Sequence, residues 1–192
     1  MRDSLFLMLG MATLLATPGP TNTLLLAAGA RRGVRASLGL VVAELGAYLV
    51  AVTGWTAIGR PWIAQFPDAL LAFKLAAAAY LLWCAVRFWR PGAADGPERD
   101  GFTAGRVVRV TLLNPKALIL AFVLLADRAL LPGLGLFVVV AVPIALAWLF
   151  AGERLGRAAG ERLSGVAVAR IAAVGYAGFA GMLAFSVAHP PV

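Results

Sequence analysis

Long apolar runs separated by short charged stretches form the dominant pattern of the chain. No charge lies between Asp3 and Arg31, and further runs occupy 36–59 (broken only by Glu44), 69–86 (only Lys74), 110–126 (only Lys116), 129–152 and 171–188. A helix needs about 20 mostly apolar residues to cross a bilayer, so the pattern predicts an all-α integral membrane protein of six transmembrane helices. A five-span chain with its N-terminus inside is the competing reading, should one weak segment fail to cross. The first run follows Arg2-Asp3, is long, and ends without a small-residue cleavage signature, so it is expected to stay attached rather than be removed as a signal peptide.

Composition agrees. Of 192 residues 61% are hydrophobic and only 14% charged, with a mean hydropathy of +0.88, whereas soluble domains run nearer about 45–50% apolar and 25% charged. The formal net charge of +8 would suggest nucleic acid in a soluble protein; in a chain this apolar it does not, and no nucleic-acid partner is expected. One cysteine, Cys84, and one histidine, His189, exclude an intrachain disulfide and a His/Cys metal cluster. No cofactor is expected.

The basic residues fall on one side. Arg31, Arg32 and Arg35 follow the first span; Arg87, Arg90, Arg99, Arg106 and Arg109 the third; Arg154, Arg157, Arg162 and Arg170 the fifth, against Arg2, Arg60 and Arg128 opposite. The positive-inside rule puts the larger group in the cytosol and both termini outside. The localisation expected is the cell (inner) membrane, with the bilayer itself as a partner.

Segment 91–101, PGAADGPERDG, reads as a linker that nearly halves the chain. On either side of it the sequence repeats weakly: 74–80 (KLAAAAY) aligns with 170–176 (RIAAVGY), and Pro20 with Pro115 at nearly the same offset. The chain is therefore read as one transporter domain, with a first repeat over 1–90 and a second over 102–192. Three spans are an odd number, so the second copy must be inverted, an arrangement typical of secondary transporters, whose sites lie near the midplane where helices are interrupted. Thr17-Pro18-Gly19-Pro20 breaks the first span and Asn114-Pro115 the fourth, since proline lacks a backbone donor and clashes with the carbonyl four residues back.

Polar side chains gather at these breaks. Thr17, Thr21, Asn22 and Thr23 surround the first, where a new helix N-terminus favours an anion. Lys116 follows Pro115, about 10 Å along the helix from Arg109; it either snorkels to the interface or meets a partner or anionic ligand. Glu44 lies roughly 13 Å from the cytosolic edge of its span, with three readings open: accepting a substrate ammonium, carrying a proton, or pairing with Lys116. Gly175, Gly178 and Gly181 predict a close-packing face between helices or between subunits of a homo-oligomer.

TPGPTNTLLLAAGARRGVRASLG (17–39), FKLAAAAYLLWCAVRFWR (73–90) and TLLNPKALIL (111–120), in that order and spacing, give the chain a near full-length resemblance to the LysE/RhtB-type amino-acid exporters. The resemblance implies inner-membrane efflux carriers of amino acids and their derivatives, driven by the proton gradient. Matched residue by residue, the family motif falls on Pro18, Gly19, Pro20 and Asn22 and on Asn114, Pro115 and Lys116, and Glu44 takes the place of a polar or acidic residue on a glycine-rich second span. Thr21 separates Pro20 from Asn22, where the commonest family pattern has Asn directly after the second proline.

The expected function is export of a small zwitterion. Its carboxylate would meet the helix start after Pro18–Pro20 and Lys116, its ammonium Glu44 or freed carbonyls, with Glu44 as the proton carrier. The candidate substrate-binding set is Thr17, Pro18, Gly19, Pro20, Thr21, Asn22, Glu44, Asn114, Pro115 and Lys116. Export of a metal cation is the alternative transport reading, weakened by a single acidic residue within the spans. A non-transporting scaffold is the rival class, and an intramembrane enzyme lacks a buried His or a carboxylate pair.

Overall fold

In a computed structural model, described over residues 2–90, 102–125, 129–159 and 165–188, the described residues are helical throughout their regular structure. The linker at 91–101, Arg128, Arg162 and His189 lie outside those residues. Helix α1 (Arg2–Ala16) leads through the first break into α2 (Pro20–Gly54), a π-helical turn (Trp55–Gly59), α3 (Arg60–Gln65) and α4 (Pro67–Trp89). The second half runs α5 (Ala104–Leu112), α6 (Pro115–Ile119), a second π turn (Leu120–Leu124), α7 (Leu130–Ala159) and α8 (Gly165–Ala188).

Helix α2 reverses direction at Gly33, the glycine with positive φ (77°) among the described residues. On a straight helix Thr21 and Tyr48 would stand about 40 Å apart, yet both hydroxyls accept a hydrogen bond from the Asn114 amide. The two arms, 20–32 and 34–54, therefore fold back on each other. Only glycine takes φ near +77° without a Cβ penalty, which is why the Arg31-Arg32-Gly33 sequence turns here.

Three glycines set the closest helix contact. A Cβ on Gly29 would overlap the backbone of Leu149, one on Gly152 that of Leu26, and one on Gly156 that of Ala30. The first arm of α2 and α7 thus pack backbone against backbone, with Gly152 and Gly156 in the G-x-x-x-G spacing that favours close helix approach in lipid. Of the glycines expected to form a packing face on the last helix, Gly175 abuts Pro18, where a Cβ would come within 2.6 Å. Gly178 and Gly181 face open space among the described residues.

Two apolar clusters hold the fold. One joins Met11 and Leu14 of α1 to Val52, Leu120, Phe137 and Tyr176; the other joins Leu25, Val41, Phe102, Val107 and Leu149. Many large apolar side chains point outward instead, Phe6, Val42, Val50, Leu131 and Phe185 among them, as suits a surface solvated by lipid rather than water. Pro20–Trp62 and Leu130–Ala158 are long and apolar enough to cross a membrane, the former sharing its length between two arms. Ala104–Leu112 and Pro115–Leu124, bent by 49°, pass together as a broken span or a re-entrant loop. These helices suggest association with a membrane.

Candidate functional site

The two proline breaks meet. At the first, Pro18 and Pro20 lack the N–H groups that a continuous helix would supply, Gly19 is extended (φ −159°, ψ 177°), and the helical ladder stops. The carbonyls of Leu15 and Thr17 are left without helical donors and are satisfied by side chains. Asn22 Nδ2 donates to both, at 2.7 and 2.9 Å, and Lys116 Nζ donates to Leu15 O at 3.2 Å and to Thr17 O. This is how irregular backbone survives away from water.

Lys116 reaches this position because of what precedes it. Asn114 caps α6, its Oδ1 accepting from the Lys116 amide at 3.1 Å, and Pro115 takes the first helical position, where a missing N–H costs nothing. The lysine side chain then runs past Gly19, whose absent Cβ would stand 3.2 Å from Cε. A side chain at Gly19 would thus crowd the lysine, while its extended backbone suits any residue. Lys116 is 3% exposed, and the ammonium is held inside, so it does not snorkel to the interface.

Around the crossing, Thr21 Oγ1 and Thr111 Oγ1 lie 3.2 Å apart, and Asn114 Nδ2 donates to Thr21 Oγ1 at 3.4 Å and to the Tyr48 hydroxyl at 3.0 Å. Asn114 therefore ties both breaks to the second arm of α2. Tyr48 accepts in that bond, which leaves its own O–H to donate elsewhere. Thr17 and Thr23 turn their hydroxyls back onto Thr13 and Gly19 carbonyls, so Thr17 contributes a carbonyl rather than a hydroxyl. Pro18 and Pro20 are half-buried and shape the break.

Glu44 is 6% exposed, and its Oε2 is buried with no hydrogen-bond partner. It lines a small cleft with Leu15, Asn22, Val41, Tyr48 and Ala145, with room for about one water molecule. No ion pair joins it to Lys116 within 4.0 Å, so of the three sequence readings of Glu44 the direct pair is not formed. Ser37, two helical turns earlier, is also fully buried with its Oγ unpartnered. Ser37, Val41, Glu44 and Tyr48 follow helical spacing and make one partly polar stripe along the second arm.

Of the sequence candidates, the structure gathers Thr21, Asn22, Asn114, Pro115 and Lys116 at the crossing and sets Glu44 beside Asn22 in the cleft. Tyr48, Thr111 and Ser37 escaped sequence reasoning. The signal for Tyr48 was its place one turn from Glu44; a threonine in an apolar helix gives none, since its hydroxyl can satisfy itself on the preceding turn.

Arg60 marks the far end of this assembly. Its guanidinium donates to the carbonyls of Ala121 and Leu125, beside Trp55 and Phe122, whose rings stand 6.1 Å apart. The two π turns thus face each other, with Gly59 against both rings. Among the described residues no three His, Cys, Asp or Glu side chains group as metal ligands.

Compared with known proteins, the chain matches no protein-family model, no curated protein and no solved structure.

Proposed function

We propose that this protein is a secondary carrier of the inner membrane that exports amino acids or small amino-acid derivatives in exchange for protons, as its LysE/RhtB-like motifs imply. The observation that carries the reading is the buried, unpartnered Glu44 carboxylate in a cleft next to two meeting helix breaks. A buried carboxylate with no hydrogen-bond partner is costly and intramembrane ionisable groups mark ion or substrate pathways.

The chemistry follows from one acceptor with two possible cargoes. The Glu44 carboxylate binds either a proton or a substrate ammonium, not both, so each crossing with one cargo is matched by a return with the other. Export coupled to proton entry is the result. The substrate carboxylate is oriented by the Tyr48 O–H and the first turn of α2, both beside the cleft. Lys116 is already engaged by Leu15 and Thr17 and serves the site's architecture. A cleft the size of one water is an occluded state, which the substrate enters when the two halves move apart.

The same reading takes the architecture as six spans in two inverted repeats of three, with both termini outside. Two contacts between matching parts of the halves support it: the breaks meet through Lys116, and α4 packs on α8. Arg170, early in α8, lies 5.9 Å from the ring of Trp89 at the end of α4, so that pair runs antiparallel, as counterparts related by an in-plane two-fold axis must.

The test is uptake of individual amino acids into inverted membrane vesicles, or efflux from loaded reconstituted vesicles, under an imposed proton gradient. Gradient-driven export of at least one zwitterion by the wild type, abolished in Glu44→Gln while exchange of substrate for substrate is altered, is the expected result. No gradient-dependent flux for any amino acid or derivative removes the reading.

A further inference from the structure

Two backbone oxygens, Leu15 O and Thr17 O, accept from the Lys116 ammonium. Leu15 O and Thr17 O stand at the C-terminal end of α1, the negative end of its dipole, and no backbone N–H continues the helix beyond them. Carbonyls freed in a broken helix are the ligands that bind a coupling cation in other secondary carriers. Here the cation is covalently attached: Lys116 arrives from the opposite break, is 3% exposed, and passes close beside Gly19. Asn22 holds the same two oxygens from the other side and fixes their spacing.

We propose that Lys116 is a resident cation in a carbonyl-lined site whose ligand class is a primary ammonium or an alkali ion. The break is thereby ordered without a free ion, and removing the side chain turns the position into a binding site for one. This rests on the proposed carrier reading only where transport is measured; cation occupancy is measurable without it.

Lys116→Ala removes the chain from Cγ to Nζ, which propylammonium replaces. The purified variant is expected to melt below wild type and to recover in propylammonium on the order of 100 mM, the range set by losing a short tether. Tetramethylammonium at equal ionic strength, which cannot donate, is expected to leave it unchanged. Wild type should respond to neither. Lys116→Met, which refills the space beside Gly19 without a donor, should also melt low but show no recovery, and it serves if the alanine variant does not fold. In vesicles, wild-type export should be unchanged when sodium and potassium are both replaced by choline.

Equal effects of the two amines on Lys116→Ala, no effect of either, a wild-type melting temperature in Lys116→Met, or a sodium or potassium requirement in the wild type would each overturn the proposal. Absence of wild-type transport with amine recovery intact would instead count against the carrier reading alone.

Discussion

Asn114 donates a 3.0 Å hydrogen bond to the Tyr48 hydroxyl, and this bond fastens the start of α6 to the arm of α2 that carries Glu44. Both side chains are buried, at 3% and 2% exposure. Removing one partner of a buried bond strands the other, at a cost of about 1–3 kcal/mol. Asn114→Ala is expected at the upper end, since it also removes the α6 cap and the bond to Thr21. Tyr48→Phe should cost less, because Asn114 keeps Thr21 as an acceptor. Unfolding in detergent of both single variants and the double variant checks this; strictly additive losses would show that the two do not act as a pair.

How much of this was legible beforehand depends on what each residue disturbs. Pro18, Pro20 and Pro115 interrupt apolar runs, and Glu44 and Lys116 place charge where charge is expensive, so each announces itself against a uniform background. Thr111 and Ser37 do not, because a hydroxyl in such a helix is chemically quiet until a partner from elsewhere is known. Gly29, Gly152 and Gly156 were hidden for the opposite reason: in a chain with 21 glycines, which ones touch another backbone is decided by tertiary packing. Of the glycines that stood out by spacing, Gly175 does pack closely, on Pro18, whereas Gly178 and Gly181 face open space. That Lys116 would bind freed carbonyls rather than Glu44 depends on its rotamer and on Gly19, neither of which a linear pattern contains.

Gly33 is the hinge of the α2 hairpin, and its φ of 77° is where a side chain is penalised. Gly33→Ala is expected to destabilise by about 1–2 kcal/mol, and its Cβ would also stand 3.3 Å from Glu153 Oε1. Gly46→Ala, in the same helix with open space around it, should gain about 0.5–1 kcal/mol from helix propensity. Melting temperatures that move the same way for both would contradict the reversal at Gly33.

Backbone contact between α2 and α7 leaves no space for a methyl group at Gly29 or Gly152. Gly152→Ala is expected to force the helices apart, costing about 1–3 kcal/mol as overpacking does, with Gly29→Ala similar and the pair less than additive because the first separation relieves the second. Gly135→Ala on the same helix α7, with nothing within 4 Å, is the control. Cross-linking between cysteines placed at Ala30 and Leu155 would report the widening as a slower reaction; an unchanged rate in Gly152→Ala would exclude it.

Arg60 closes the far side of the assembly by donating to Ala121 and Leu125, whose side chains are buried. The π turn at Leu120–Leu124 shifts its backbone pairing by one residue, with Leu125 N bonding to Leu120 O at 2.9 Å, so carbonyls along it need donors from outside the helix. One guanidinium supplies several in a fixed fork, which a lysine cannot reproduce. Arg60→Met should therefore lower stability by about 1–3 kcal/mol for each carbonyl left unpaired, and Arg60→Lys should recover less than half of the loss. The effect is local by construction: amide exchange over Leu120–Leu125 should accelerate in Arg60→Met, while exchange around Asn114 and Lys116, held by their own bonds, stays at the wild-type rate. If both regions quicken together, the π turn and the break unfold as one unit, and Arg60 secures the whole second half rather than its far end.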